Sequence, residues 1–292
     1  MHIAMILGGL SLAWCLRWMY TPSIMRQDIS QPTHQERWQR ALLLFLFPPL
    51  LVLMTAIAVV FMGPQGQMLG FQAGWFSYII AIAFLIYAVI WGCILIAQGL
   101  RAVRKVSSYP RSELASQLAG QTVRAIDTPQ ILAAQVGFWQ PHLVVSVGML
   151  QKLDREHLHA VLKHEQAHDC YRDTFWFFAL GYIKQVTAWL PNTNALWQEL
   201  LLLREIRADH WAAQYVDRLL LAEALLWSVS DAIAPESDIF CATFSCPTPR
   251  SRLKERIDAI LDETTPETKP NYALLGWLIL SLLPLISVPF HS

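Results

Sequence analysis

Charged residues are scarce in this sequence. Of its 292 residues, 22 are Lys or Arg and 22 are Asp or Glu, so the net charge is zero. Without a surplus of basic charge there is no bulk electrostatic attraction to a phosphate backbone, and nucleic acid is not expected as a partner. A hydrophobic content of 54%, a charged content of 15% and a mean hydropathy of +0.36 instead indicate a membrane protein.

Cysteine pairs with metal-binding spacing are also lacking. The spacing of Cys241 and Cys246 fits no usual zinc knuckle, and Cys15 and Cys93 lie within apolar runs. The cysteines are therefore interpreted as reduced residues. Cys170 follows closely after His168, but we expect a small buried residue there rather than an extra metal ligand.

Long apolar runs are present. Three of them, at residues 3–20, 41–62 and 75–100, are each long enough to cross a bilayer. The first contains Arg17, which must snorkel to the interface if this run spans the membrane. The first is interpreted as a retained span, since no basic segment precedes it and no clear cleavage site follows it. A fourth run covers residues 272–289. We therefore predict three transmembrane helices in residues 1–100, a cytoplasmic domain in 101–270 and a C-terminal transmembrane helix in 271–292.

Basic residues between these runs predict the orientation. Under the positive-inside rule, loops rich in Lys and Arg face the cytoplasm. The predicted cytoplasmic segments are the first loop and the region after the third run, which carry Arg26, Arg37, Arg40, Arg101, Arg104, Lys105 and Arg111. The sequence thus predicts a multi-pass protein of the cytoplasmic (inner) membrane, with residues from 101 onward in the cytoplasm.

One stretch within the predicted cytoplasmic domain carries a metal-binding pattern. Apolar residues recur at helical spacing in residues 158–162, and Asp154 stands at the expected N-cap position. On this helix His164 and His168 lie one turn apart on the same face and can hold one zinc ion, while Glu165 can take a proton from a water bound to the metal. This is the HExxH arrangement. The alternative is two ordinary histidines on a solvated helix face.

A catalytic zinc ion needs a third protein ligand and an open position for water. Glu205 and Asp209 share one face of a second predicted helix, beside a strongly apolar run. A carboxylate is costly to bury there unless it is paired or bound to a metal, so Glu205 is the predicted third ligand. Asp209 is expected to accept the second ring proton of a ligand histidine. Alternatively, both carboxylates pair with Arg204, Arg207 or Arg172.

The two motifs together, HEQAH at residues 164–168 and EIRAD at 205–209, resemble those of membrane-embedded zinc peptidases with glutamate as the third ligand. These include the CAAX prenyl protease and HtpX group and the beta-lactam sensor-transducer (BlaR/MecR-type) group. Residues 135–146 resemble the lead-in to the catalytic helix of the second group, and Arg172-Asp173 follows at the expected place. The likeness covers roughly residues 100–262. Nothing corresponds to an extracellular penicillin-binding domain, so beta-lactam sensing is not implied.

This resemblance implies a mainly α integral membrane protein with a cytoplasmic α+β zincin-like metallopeptidase domain containing a small sheet. Short strands are expected at residues 125–127 and 143–147, separated by a turn at Gly137 and Pro141. The second strand is expected to lead directly into the catalytic helix and, if it lies at an edge, to pair with the substrate backbone. Helices are predicted at residues 195–215 and 219–229 and from residue 249 onward.

Residues 174–190 are apolar but carry Lys184 at their middle. The alternatives are a fourth span, a half-inserted helix or a helix packed beneath the zinc site. A full crossing is not expected, because it would place Glu205 and His164 on opposite sides of the membrane.

The predicted reaction is peptide hydrolysis by a water that the zinc ion activates, with Glu165 as general base and His210 or a nearby arginine as donor to the oxyanion. The expected substrate is a protein or peptide, such as a cytoplasmic repressor or a membrane protein. The alternative is a non-proteolytic or regulatory membrane signal transducer that retains the peptidase fold.

Overall fold

The computed structural model describes residues 2–25, 33–65, 67–68, 71–72, 74–231, 252–262, 273–286 and 288–290. The helices are, in chain order, α1 His2–Met25, α2 His34–Met62, α3 Trp75–Ser107, α4 Glu113–Ala119, α5 Val147–Lys152, α6 Arg155–Cys170, α7 Asp173–Val186, α8 Thr193–Ala212, α9 Arg218–Asp231, α10 Leu253–Leu261, α11 Ala273–Leu280 and α12 Leu283–Ile286. The strands are β1 Gln67–Met68, β2 Phe71–Gln72, β3 Val123–Ile126, β4 Ala133–Val136 and β5 His142–Ser146.

Three of the described helices, α1, α2 and α3, are long and apolar enough to cross a membrane. They coincide with the three apolar runs near the N-terminus, and their length and composition are compatible with a membrane protein. Helix α2 begins at His34, ahead of the predicted apolar run, because the Thr33 hydroxyl caps it by accepting a hydrogen bond from Glu36 N at 3.2 Å.

The fourth apolar run does not form one continuous helix. Helix α11 ends at Leu280, and α12 begins at Leu283 after a turn at Ser281 and Leu282. The break follows from Pro284, because a proline ring collides with the carbonyl group four residues earlier, which here belongs to Leu280. The predicted single C-terminal transmembrane helix is therefore replaced by two short helices in the described part of this run.

The chain divides into two compact units, and the division differs from the predicted domain boundaries. The first unit contains Met1–Cys93, Tyr182–Leu200 and Pro266–Ser292, and the second contains Ile94–Gly181 and Leu201–Thr265. Residues 182–200, predicted to belong to the cytoplasmic domain, thus group with the apolar helices.

Arg17 gives the physical reason for this grouping. Instead of snorkelling, its side chain is fully buried and donates hydrogen bonds to Pro191 O at 3.2 Å, Thr193 Oγ1 at 3.0 Å and Phe45 O at 3.3 Å. In return, Asn192 Nδ2 donates to Arg17 O at 3.2 Å. These acceptors satisfy a cation that would be costly inside an apolar helix bundle.

The second unit contains a small sheet with the strand order β3-β5-β4 among its described residues. Strand β5 is parallel to β3 and antiparallel to β4, with Leu143 opposite Val123 on one side and Gln135 on the other. Strand β5 is therefore not at an edge, so the condition under which residues 143–147 would pair with a substrate backbone is not met. A short helix, α5, also separates β5 from α6. Strand β4 escaped prediction because alanine and glutamine have little intrinsic strand preference.

Helix α6 forms where it was predicted, and its apolar face packs against this sheet. Its N-cap residue, Asp154, accepts hydrogen bonds from Glu156 N at 3.0 Å and His157 N at 2.9 Å. Leu158 and Leu162 are buried in a core cluster with residues of α4, β3, β5 and α5. Because one face of α6 is held in this way, the position of its remaining polar residues is set by the helical period.

Candidate metal centre

Two histidines of α6 face each other across one helical turn. His164 Nε2 and His168 Nε2 are 3.2 Å apart. Both side chains are largely removed from solvent, with exposed fractions of 12% and 7%. The HExxH pattern therefore lies in a protected site rather than on a solvated helix face.

Helix α8 brings Glu205 to the two histidines. Glu205 Oε2 lies 3.3 Å from His164 Nε2, and Glu205 Oε1 lies 3.7 Å from His168 Nε2. The ligand atoms of these three residues all lie within 4.8 Å of one another, so the group can hold a metal ion. Cys170 is not part of this group among the described residues, as expected. It is exposed at the end of α6, however, and the expectation that it is buried is wrong.

The spacing of the donor atoms can be compared with what zinc requires. For metal–ligand distances of about 2.0–2.2 Å in a tetrahedral site, the donor atoms lie about 3.3–3.6 Å apart. The separations of 3.2, 3.3 and 3.7 Å are close to this range. Two imidazoles and one carboxylate are also a donor set that suits zinc and leaves a fourth position for water. The three side chains therefore fit a zinc ion.

Each histidine is held from behind by its own carboxylate. His164 Nδ1 lies 2.8 Å from Asp209 Oδ1, and His168 Nδ1 lies 2.8 Å from Asp173 Oδ2. A carboxylate in this position accepts the Nδ1 proton, which leaves Nε2 available to a metal and fixes the ring orientation. Asp209 lies beside a ring nitrogen of His164, and its role as the proton acceptor stays a prediction. Sequence reasoning noted Asp173 but assigned it no role, because nothing in the local pattern pairs it with His168.

Three arginines compensate the carboxylates. Arg204 Nη2 donates to Glu205 Oε1 at 2.6 Å, and Arg256 donates to Asp209 through both Nε and Nη2 at 2.8 Å. Arg256 Nη1 also lies 3.3 Å from Glu205 Oε2. The third arginine, Arg207, binds Asp173. Of the ion pairs expected as the alternative for Glu205 and Asp209, the one between Arg204 and Glu205 is present beside the metal-binding geometry. Asp209 pairs with Arg256 instead, and Arg207 binds Asp173.

The charges shift the pKa values of the group. Burial raises the pKa of Glu205, but Arg204 and Arg256 outweigh burial and hold it well below its usual value. The same balance of burial against Arg256 and His164 lowers the pKa of Asp209. Burial lowers the pKa of His164, while Asp209 and Glu205 raise it, with a net value of about 10. Both carboxylates are therefore ionised at neutral pH, as metal binding requires.

Glu165 lies next to the first ligand and is buried, with 8% of its surface exposed. Its Oε2 atom is buried and has no hydrogen-bond partner within the described ranges. Its main chain is fixed, because Gln135 Nε2 of strand β4 donates to Glu165 O at 3.1 Å. A buried carboxylate oxygen without a partner is costly, and it is a common feature of a group kept ready for a ligand or a reacting proton.

His210, considered from the sequence as an oxyanion donor, is engaged elsewhere. Its Nε2 atom donates to Ala259 O of α10 at 2.9 Å, so His210 ties α8 to α10. The arginines nearest the ligands are Arg204 and Arg256. Sequence reasoning missed Arg256, whose only signal is its place on a short amphipathic helix.

Comparison with known proteins adds no relative: no family model matches the chain, and no curated protein matches its sequence significantly. The function proposed below therefore rests on the distances, burial and charges of the site itself. Cys241 and Cys246 lie outside the described residues, as does Arg26 of the first predicted loop.

Proposed function

We propose that this chain is an integral membrane zinc metalloendopeptidase that hydrolyses peptide bonds of protein substrates at the cytoplasmic face of the membrane. The observation that carries the proposal is the convergence of His164, His168 and Glu205 beside Glu165, whose buried Oε2 atom has no hydrogen-bond partner in the described part of the chain. The motif resemblance to glutamate-ligand zinc peptidases points in the same direction, and the apolar helices are compatible with a membrane location.

Each side chain of the site has its own role in the proposed hydrolysis. His164, His168 and Glu205 hold the zinc ion, while Asp209 and Asp173 keep the Nε2 atoms of the two histidines directed at it. A zinc ion held there would supply the Lewis acid that activates a water molecule and polarises a carbonyl group. Glu165 takes the proton of that water on its free Oε2 atom and later returns it to the leaving amine.

Strand β4 gives a reason to expect a peptide as the substrate. It lies at one edge of the sheet, and its residue Gln135 is bonded to the main chain of Glu165. An extended peptide that added to this edge would run beside the metal ligands of α6, with its main chain bonded in register.

The orientation rests on the basic residues that follow α3. Arg101, Arg104 and Lys105 are exposed there, and by the positive-inside rule they face the cytoplasm. This charge pattern supports the proposal that the segment from residue 101 onward, which carries the candidate metal centre, faces the cytoplasm.

The test compares Glu165→Gln with Glu156→Gln, which removes an exposed glutamate from the same helix. Detergent-purified full-length protein is assayed for zinc by mass spectrometry and for hydrolysis of fluorescent casein. We expect Glu165→Gln to keep about one zinc ion per chain and to lose about 10²–10⁴-fold in rate, the usual contribution of a general base. Glu156→Gln should match the wild type in both respects.

A third variant, Glu205→Ala, should lose zinc as well as activity. Two results would contradict the proposal: folded wild-type protein without zinc, or a Glu165→Gln variant as active as the wild type. The first would favour a membrane transducer that uses the fold without catalysis.

A further inference from the structure

An exposed aromatic patch, made of Trp139, Tyr171, Phe175 and Trp176, lies on the second unit. Trp139 is 64% exposed, Trp176 59% and Tyr171 38%. Three of these rings are contiguous, with centroid distances of 4.6 Å between Trp139 and Phe175 and 5.4 Å between Phe175 and Trp176. Clustered exposed aromatic rings are unfavourable in water and mark a surface that meets a partner.

The patch is joined directly to the metal centre. Arg172 Nη1 donates to Trp139 O at 2.7 Å, which links the turn between β4 and β5 to the start of α7. The next residue, Asp173, holds His168 Nδ1 at 2.8 Å. Arg207, which also binds Asp173, stacks on Tyr171 with its guanidinium 4.2 Å from the ring centroid. Whatever the patch contacts therefore lies close to the ligand His168.

The patch is also joined to the end of α3. Ala102 and Val106 of α3 are buried in a cluster against which Phe138 and Phe178 pack. Phe138 directly precedes Trp139 of the patch, and Phe178 lies two residues after Trp176 on α7. The apolar surface of α3 ends at Leu100, which is 43% exposed, and exposed Arg101 follows. This change from apolar to basic residues marks where α3 would leave the hydrocarbon core.

The depth of the patch follows from this boundary. With a helical rise of about 1.5 Å per residue, Ala102 and Val106 lie about 3 and 9 Å beyond Leu100 along α3. The headgroup layer on each side of a bilayer is about 5–8 Å thick. The residues of α3 that pack beside the patch thus span the headgroup layer.

We propose that the aromatic patch inserts into the headgroup layer of the bilayer and holds the metal centre at that level. Indole and phenol rings prefer this layer because their polar atoms meet water while their ring faces meet acyl chains. Arg172 and Arg207, the cations beside the rings, suit lipid phosphates. The partner is therefore the lipid surface rather than a soluble protein. Taken together with the proposed function, on which this extension rests, the substrates are peptide bonds next to a membrane anchor.

The test measures the depth of the patch and does not depend on activity. Full-length protein in nanodiscs of phosphatidylcholine and phosphatidylglycerol carries a single cysteine with an environment-sensitive fluorophore, introduced as Trp139→Cys or Trp176→Cys. The native cysteines are replaced by serine at positions 15, 93, 170, 241 and 246. The control is Leu219→Cys, at a position that is 60% exposed on α9 and directly follows Asp217 and Arg218. Gln140→Cys, exposed beside Trp139, replaces a patch variant that fails to fold.

We expect the fluorescence of labels in the patch to be quenched strongly by lipids that carry a nitroxide near the headgroup and less by lipids that carry it near the end of the acyl chain. Iodide dissolved in the water should not quench these labels. The control label should respond to iodide alone. Patch labels that are quenched by iodide and not by either lipid would overturn the proposal and leave a protein partner or substrate as the occupant. That outcome would leave the zinc and Glu165 tests of the proposed function unaffected.

Discussion

The bidentate pair between Arg256 and Asp209 should be the main source of stability that α10 supplies to the metal centre. Asp209 is 1% exposed and Arg256 is 7% exposed, and two hydrogen bonds of 2.8 Å join them. Arg256→Met leaves a buried carboxylate without its main cation, which costs about 3–5 kcal/mol. Since about 1 kcal/mol shifts the Tm of a domain of this size by about 2–4 °C, we expect a loss of about 6–20 °C.

The assay is thermal unfolding in detergent, followed by tryptophan fluorescence, with and without a chelator. The loss should be larger in metal-free protein, because a bound cation would take over part of the compensation that Arg256 gives to Glu205. The matched control is Arg252→Met in the preceding turn, whose side chain is 26% exposed and pairs with Glu255. This partly exposed pair should contribute about 1 kcal/mol or less.

The double variant Arg256→Met with Asp209→Asn decides between charge and packing as the cause. If an unpaired buried charge is responsible, removing both charges should recover a large part of the lost Tm. A double variant whose loss equals the sum of the two single losses would refute the reasoning, because it would assign the effect to the packing of α10.

Three further expectations can be checked in the same unfolding assay. Burial lowers the pKa of His157, but two neighbouring carboxylates outweigh burial and raise it. Its stabilisation is therefore complete below its unfolded pKa of about 6.5 and is lost as pH rises through the folded value, so His157→Gln should flatten the decrease in Tm above about pH 6.5. Gly148→Ala should abolish stable folding, because the new Cβ would lie 2.1 Å from Pro129 O. A normal Tm would show that the main chain at Pro129 can move away from α5. Arg37→Gln and Glu199→Gln should each lower Tm and be less than additive together, since Arg37 binds Glu199 Oε1 at 2.9 and 2.6 Å, whereas additive losses would show that the pair is not coupled.

Local patterns predicted the helices of the site well, because helical spacing and capping act over a few residues. Asp154 fixed the start of α6, and the apolar positions fixed the face that it buries. The same reasoning missed β4 and left the order of the strands open, because strand pairing joins residues that are distant in sequence. Local patterns also do not show that Tyr182–Leu200 group with Met1–Cys93, because the hydrogen bonds of Arg17 to Pro191 and Thr193 join residues far apart in sequence.

By itself, the sequence determined that His164 and His168 share one helix face, since a spacing of four residues is close to one helical turn. It also determined three apolar helices long enough to cross a membrane. Only the tertiary structure decided that α8 delivers Glu205 to those histidines, that Asp173 supports one of them and Asp209 the other, and that Arg256 balances the buried charge from a helix 47 residues away. Contacts of this kind depend on packing between distant elements, and local residue patterns carry no information about that packing.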